Sequence, residues 1–283
     1  MKLGHSFPLV ALDDVARVRD SAQTLDGAGF DYITAAGHLL SSPPDRYQGR
    51  PPATYTGPYH DPFVLFAYLA GITQRLEFMT SILILPLYET AVVAKQAAEL
   101  AFLSNNRFHL GVGMSWQESE YEALNQDIHT RGRRLQEQVE VLRLLWTQPY
   151  VTFKGRWHNL DQVGLNRLPS RPVPIWFGTS AEERPMRRAA SIGDGYMPMG
   201  DPAELFPRMQ QYMVEQGRDG RAFMLMTRLS AGEGGPDAWI GEAKRLQGLG
   251  ATHLTIGVPP DIQGAAAITR ITEAKNAVAA ALS

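Results

Sequence analysis

The sequence predicts a (β/α)8 barrel formed by one domain across residues 1–283. Three observations support this. Eight short apolar segments recur along the chain, each followed by a stretch of helical periodicity. The length of 283 residues suits an eightfold βα repeat, for which about 250 residues is typical. No linker-like stretch separates two folding units. A doubly wound open sheet is the competing arrangement.

The elements follow in order. Residues 3–10 read as the first strand. Residues 13–28 read as a helix, with Val15, Val18, Ala22 and Leu25 on one face and Gly29 just past its end. Residues 30–34 form strand two. Residues 37–59 hold Pro43, Pro44, Gly49, Pro51, Pro52, Gly57 and Pro58, so they form a long loop of the kind that usually serves function. A helix spans 61–73, strand three 76–86, a helix 90–103 and strand four 107–112. Residues 131–146 are strongly amphipathic, with Leu135, Val139, Leu142 and Leu145 at helical spacing. Residues 151–153 and 157–160, joined by Lys154, Gly155 and Arg156, read as a β-hairpin insertion. Strand five is 173–177 and strand six 195–199, with a helix carrying Arg187 and Arg188 between them. Strands seven and eight are 223–229 and 253–258. The remaining helices lie near 202–216, 237–249 and 263–282.

Composition excludes several classes. With no cysteine, disulfides, thiolate catalysis and Cys-based metal sites are ruled out. A net charge of −2 gives no draw toward nucleic acid or anionic lipid. No long apolar run marks a signal peptide or membrane span, so a cytoplasmic location is expected. The seven histidines show no His-x-His or His-Glu-x-x-His spacing, so no metal site is expected. Neither a Gly-x-Ser-x-Gly elbow nor a Gly-Lys-[Ser/Thr] phosphate loop occurs, which points to chemistry carried by a bound cofactor.

In such barrels ligands sit at the carboxyl ends of the strands, and each candidate lies at one. His38, beyond strand two, suits proton exchange and charge stabilisation; the bland alternative is a loop histidine bonded to backbone. Thr80 and Ser81, before Ile82, put two hydroxyls into an apolar strand, where each needs a partner from a bulge, a ligand or the sheet itself. Gly113 and Met114 end strand four in a run whose glycines begin a dinucleotide fingerprint, but Trp116 stands where the third glycine belongs. Close backbone approach to a flat ring is the better reading there, with Trp116 as a wall or as core. Gly178 and Thr179 close strand five in a small-residue turn before a helix, which fits either a phosphate cradle or a tight turn with a helix cap.

Taken together, residues 36–40, 75–86, 94–98, 107–116, 131–134 with Trp146, 174–178 and 187–196 resemble the bacterial luciferase-like superfamily. Within it they are most similar to the oxidoreductases that use the deazaflavin coenzyme F-420, and the resemblance covers about residues 3–260. It implies a cofactor ring at the strand ends, a cis peptide at Ser81–Ile82, and a phosphate site at Gly178 and Thr179 with help from Gly195 and Tyr196. It also implies a homodimer. One departure stands out: the family often has Asp-His at the end of strand two, and here it is Gly37-His38, so an acid–base pair does not carry over. The expected activity is hydride transfer between F-420 and a small organic substrate. The alternatives are an FMN-dependent monooxygenase using oxygen and a flavin- or deazaflavin-binding protein without turnover. Tyr47 and Tyr55, in a loop with few charges, point to an apolar substrate.

Overall fold

In the computed structural model, eight parallel strands close into a barrel with helices packed around it. The structure describes residues 1–7, 14–47, 59–219, 223–232, 234–259 and 261–282. Tyr55 and the side chain of Tyr47 lie outside the described residues. In chain order the first strands are β1 (Lys2–Ser6), β2 (Tyr32–Gly37), β3 (Glu77–Ile84) and β4 (Phe108–Gly113). β5 (Val151–Lys154) and β6 (Asn159–Val163) form a separate antiparallel hairpin. β7 (Ile175–Thr179), β8 (Gly195–Pro198), β9 (Met224–Ser230) and β10 (His253–Gly257) complete the barrel, in the order β1-β10-β9-β8-β7-β4-β3-β2.

The helices are α1 (Val15–Gly27), α2 (Pro62–Ile72), α3 (Thr90–Leu103), α4 (Glu118–Ala123) and α5 (Arg131–Thr147), then α6 (Glu183–Ile192), α7 (Pro202–Glu215), α8 (Gly235–Gly248) and α9 (Gly264–Leu282). Aspartates start three of them. Asp14, Asp61 and Asp201 accept from the N–H groups of Ala16, Val64 and Ala203 at 2.8, 2.9 and 2.9 Å. Each bond satisfies a donor that the helix itself leaves unpaired.

Several boundaries depart from expectation. β7 begins two residues later than 173 because Pro172 and Pro174 lack the N–H that a ladder needs. β2 runs on to Gly37 and so delivers His38 directly to the barrel rim. The hairpin's second strand is Asn159–Val163 rather than 157–160. Glu137 holds the preceding turn, accepting from the N–H groups of Arg156, Trp157 and His158 at 2.8–2.9 Å. α4 was not expected at all.

The core has two layers. Tyr32, Met79, Trp176, Met197 and Met226 fill the barrel interior. A larger cluster, including Ile33, Phe78, Leu110, Phe177 and Tyr196, packs the outer strand faces against the helices. Burial on both faces is why these strands read as apolar runs without alternation. Gly195 is part of this packing: a Cβ there would lie 2.4 Å from the Trp176 ring. At the amino end of the barrel, Lys2 meets Glu77 at 2.6 Å, and Trp176 Nε1 donates to His109 Nδ1 at 3.0 Å. Burial, then the positive charge of Lys2, pushes His109 and His253 down to about 3. Among the described residues no helix is long and apolar enough to cross a membrane.

Candidate functional site

A cavity of about 600 Å³ opens where β2, β3, β4, β7, β8 and β9 end. His38 lines it from beyond β2, Ser81, Ile82 and Ile84 from β3, Met114, Ser115 and Trp116 from beyond β4, and Gly178 from β7. Met197, Met199, Met226 and Arg228 contribute from the β8 and β9 side. This is the rim where barrel enzymes place their ligands.

β3 is irregular at this rim. Its register against β4 shifts between Met79 and Leu83, and the register of β2 against β3 shifts between Ala35 and Gly37. The Ser81–Ile82 peptide is cis. Thr80 turns into the sheet, where its hydroxyl donates to Gly111 O at 2.7 Å and accepts from Gly111 N at 2.8 Å. Its hydroxyl is therefore satisfied by the sheet, whereas Ser81 lines the cavity. Ile82 projects between two glycines: a Cβ on Gly113 would lie 2.8 Å from Ile82 Cδ1, and one on Gly178 would lie 2.4 Å from Ile82 Cγ2. Both glycines thus give Ile82 a slot, a packing reason that residue spacing alone did not expose.

His38 is bonded to a carboxylate, not to backbone. Its Nδ1 lies 2.8 Å from Glu120 Oε2, and Glu120 Oε1 accepts from Leu39 N at 2.7 Å and Leu40 N at 3.2 Å. The Glu120 side chain is wholly buried and that of His38 is 18% exposed. A buried carboxylate persists only where donors converge on it. Glu120 acts as acceptor, so Nδ1 carries the hydrogen and Nε2 is left for a ligand. With Gly37 before it, His38 takes its carboxylate partner from α4. The Tyr59 ring packs 5.0 Å from His38, and burial, with a smaller push from Glu120, raises its phenol above the usual value.

The other predicted residues separate. His38, Ser81, Ile82, Met114 and Gly178 come together on the cavity. Gly113, Thr179, Gly195 and Tyr196 are not among its lining residues. Thr179 is buried, with its carbonyl accepting from Met199 N at 3.2 Å. Tyr196 is buried, its hydroxyl has no hydrogen-bond partner among the described residues, and burial pushes it up to about 12. α6 has Glu182 at its N-cap and Glu183 in its first turn, two carboxylates at the end where the helix dipole would favour an anion. Sequence reasoning missed Glu120 and Arg228. Glu120 left a faint signal, as one of three alternating glutamates; Arg228 left only its place at a strand end.

Comparison with known proteins agrees with this architecture. Residues 3–240 match the family model described as luciferase-like monooxygenase. An uncharacterized protein of Mycobacterium tuberculosis is 34% identical over 204 residues, 71% of this chain and 68% of that protein. An F-420-dependent glucose-6-phosphate dehydrogenase of Segniliparus rotundus is 28% identical over 231 residues, 75% of this chain and 63% of the relative. The solved structure of an F-420-dependent secondary alcohol dehydrogenase, in complex with an F-420–acetone adduct, shares the fold. Its TM-score is 0.78 at 18% identity, covering 98% of each chain. Proteins similar to this chain include enzymes named for F-420 and for FMNH2.

Proposed function

Because the chain belongs to the luciferase-like monooxygenase family of oxidoreductases, we propose that it transfers a hydride between coenzyme F-420 and a small organic substrate. The observation that carries the reading is His38 on the cavity wall, fixed by the buried Glu120. The likeness to an F-420-dependent dehydrogenase supports a deazaflavin, as the likeness to an FMNH2-dependent monooxygenase supports FMN.

The residues present fit such a cofactor. The cavity of about 600 Å³ lies within the roughly 300–1,000 Å³ of small-molecule sites, and Ile82, Met114, Met197 and Met226 offer apolar surface to a flat ring. A bound deazaflavin supplies two-electron hydride chemistry. Of the phosphate contacts that the resemblance implies, Gly178 lines the cavity and is the one carried forward.

The chain's own part is proton handling and exclusion of water. His38 Nε2 accepts or donates the proton that accompanies hydride movement at a substrate oxygen. Glu120 holds the imidazole in the tautomer that leaves Nε2 free and stabilises the imidazolium when it forms. The apolar walls keep the partly formed charge in a medium where one hydrogen bond counts for more than in water.

A panel of small carbonyl compounds offered with reduced F-420 tests this. Wild type should oxidise the coenzyme with at least one of them. His38→Ala should lose about 10²–10⁴-fold in rate while keeping F-420 affinity within roughly tenfold. Loss of F-420 binding in folded His38→Ala would make His38 a binding residue and remove its catalytic role. The family name favours a second reading, an FMN monooxygenase. Substrate-dependent oxygen uptake with reduced FMN, and none of this chemistry with F-420, would establish it instead.

A further inference from the structure

A second cavity, of about 570 Å³, adjoins the first at the barrel mouth, over the ends of β1, β2, β9 and β10. Ser81 and Arg228 line both. β3 and β9 stand four places apart in the ring of eight strands, so these two residues reach the mouth from opposite sides of the barrel.

Arg228 is the one permanently charged residue on either lining, and no Asp or Glu lines either cavity among the described residues. Its guanidinium makes no ion pair or hydrogen bond among the described residues. Other arginines of the barrel are tied down: Arg143 to Asp194 at 3.0 Å, and Arg107 to the carbonyl of Leu76 at 2.7 Å. Arg228 thus presents an unspent donor fork beside the apolar surface of Met226 and Leu229. Arg228 is exposed to solvent at the mouth, and its guanidinium is geometrically matched to the two oxygens of a carboxylate or phosphate.

We propose that the substrate is an amphipathic oxyanion, held at its carboxylate or phosphate end by Arg228 while its apolar body lies toward Ile82 and Met226. This rests on the reading of the cavity as the hydride-transfer site and deepens it. It also adds a charged end to the expected apolar substrate, because Arg228 is the one permanently charged residue lining either cavity among the described residues.

The test uses two fluorinated probes of similar size and opposite character, trifluoroacetate and trifluoroethanol. Binding to the purified protein is followed by fluorine NMR, with and without F-420. Trifluoroacetate should bind wild type. Arg228→Ala should weaken it by roughly tenfold or more, Arg228→Lys should retain part of the affinity, and trifluoroethanol should respond to neither change. Competition by inorganic phosphate would extend the class to phosphate esters; lack of competition would narrow it to carboxylates. Trifluoroacetate binding that ignores Arg228→Ala, or is absent from wild type, overturns the proposal. So does a parallel loss of F-420 affinity in Arg228→Ala, which would assign Arg228 to the cofactor. Should F-420 not bind while trifluoroacetate still depends on Arg228, the cofactor reading fails and the oxyanion site stands.

Discussion

Replacing Glu120 with Gln tests the contact that orients His38. Gln keeps an oxygen for the Leu39 and Leu40 N–H groups but turns an NH2 toward His38 Nδ1. Nδ1 must then accept, and the imidazole hydrogen moves to Nε2. Glu120→Gln should therefore lose about tenfold or more in turnover, up to the 10²–10⁴-fold span of acid–base help, with F-420 affinity little changed. Nitrogen NMR of the His38 ring should report the reversed tautomer. The double variant with His38→Ala should be no slower than His38→Ala alone; additive losses would show that the two residues do not act as a unit. Of this pair, only His38 was legible in the sequence. Glu118, Glu120 and Glu122 look alike there, and the helix decides between them. Glu118 and Glu122 are four apart and share one face, whereas Glu120 lies nearly opposite and is buried with Tyr121.

At the scale of elements, the end of β3 shapes the cavity, and Gly178 is where it is most sensitive. Gly178→Ala should destabilise the fold by about 1–3 kcal/mol, because its Cβ would overlap Ile82 Cγ2 at 2.4 Å in a packed rim. Urea unfolding of Gly178→Ala, Ile82→Ala and the double variant would measure this. Added to Ile82→Ala, which removes the clashing atom, Gly178→Ala should cost little. An equal cost in both backgrounds would mean that Ile82 is not the reason for the glycine. The strands and long helices were legible because each presents a continuous apolar run or a helical stripe. α4 was not, since six residues with three glutamates resemble a loop until tertiary contacts bury one side. The hairpin register was misread for a similar reason. Glu137, nineteen to twenty-one positions earlier in the chain, fixes its turn, and local spacing carries no trace of that grip.

The whole molecule has a built-in acid sensitivity. His109 and His253 are held at about 3, against an ordinary value of 6.5, by burial first and by Lys2 second. Between those values the unfolded chain binds more protons than the folded one. Stability is therefore full above about pH 6.5 and falls as pH drops through the window, by up to about 1.4 kcal/mol per pH unit for each histidine. Urea midpoints should decline from about pH 7 to pH 5. His109→Asn should flatten the decline, since its carbonyl can still accept from Trp176 Nε1 without titrating. A wild-type midpoint that is level across this range would contradict the buried neutral pair. Barrel closure itself was legible from the eightfold repeat, but the pairing of ring-shaped side chains with facing glycines inside it was not, because Trp176 and Gly195 come from different strands. A direct titration of the purified protein with F-420 and with FMN tests the proposal that this barrel mouth is a deazaflavin site. Tighter binding of F-420, by about tenfold or more, equivalent to roughly 1.4 kcal/mol, is the predicted result; FMN binding as tightly as F-420, or tighter, would contradict it.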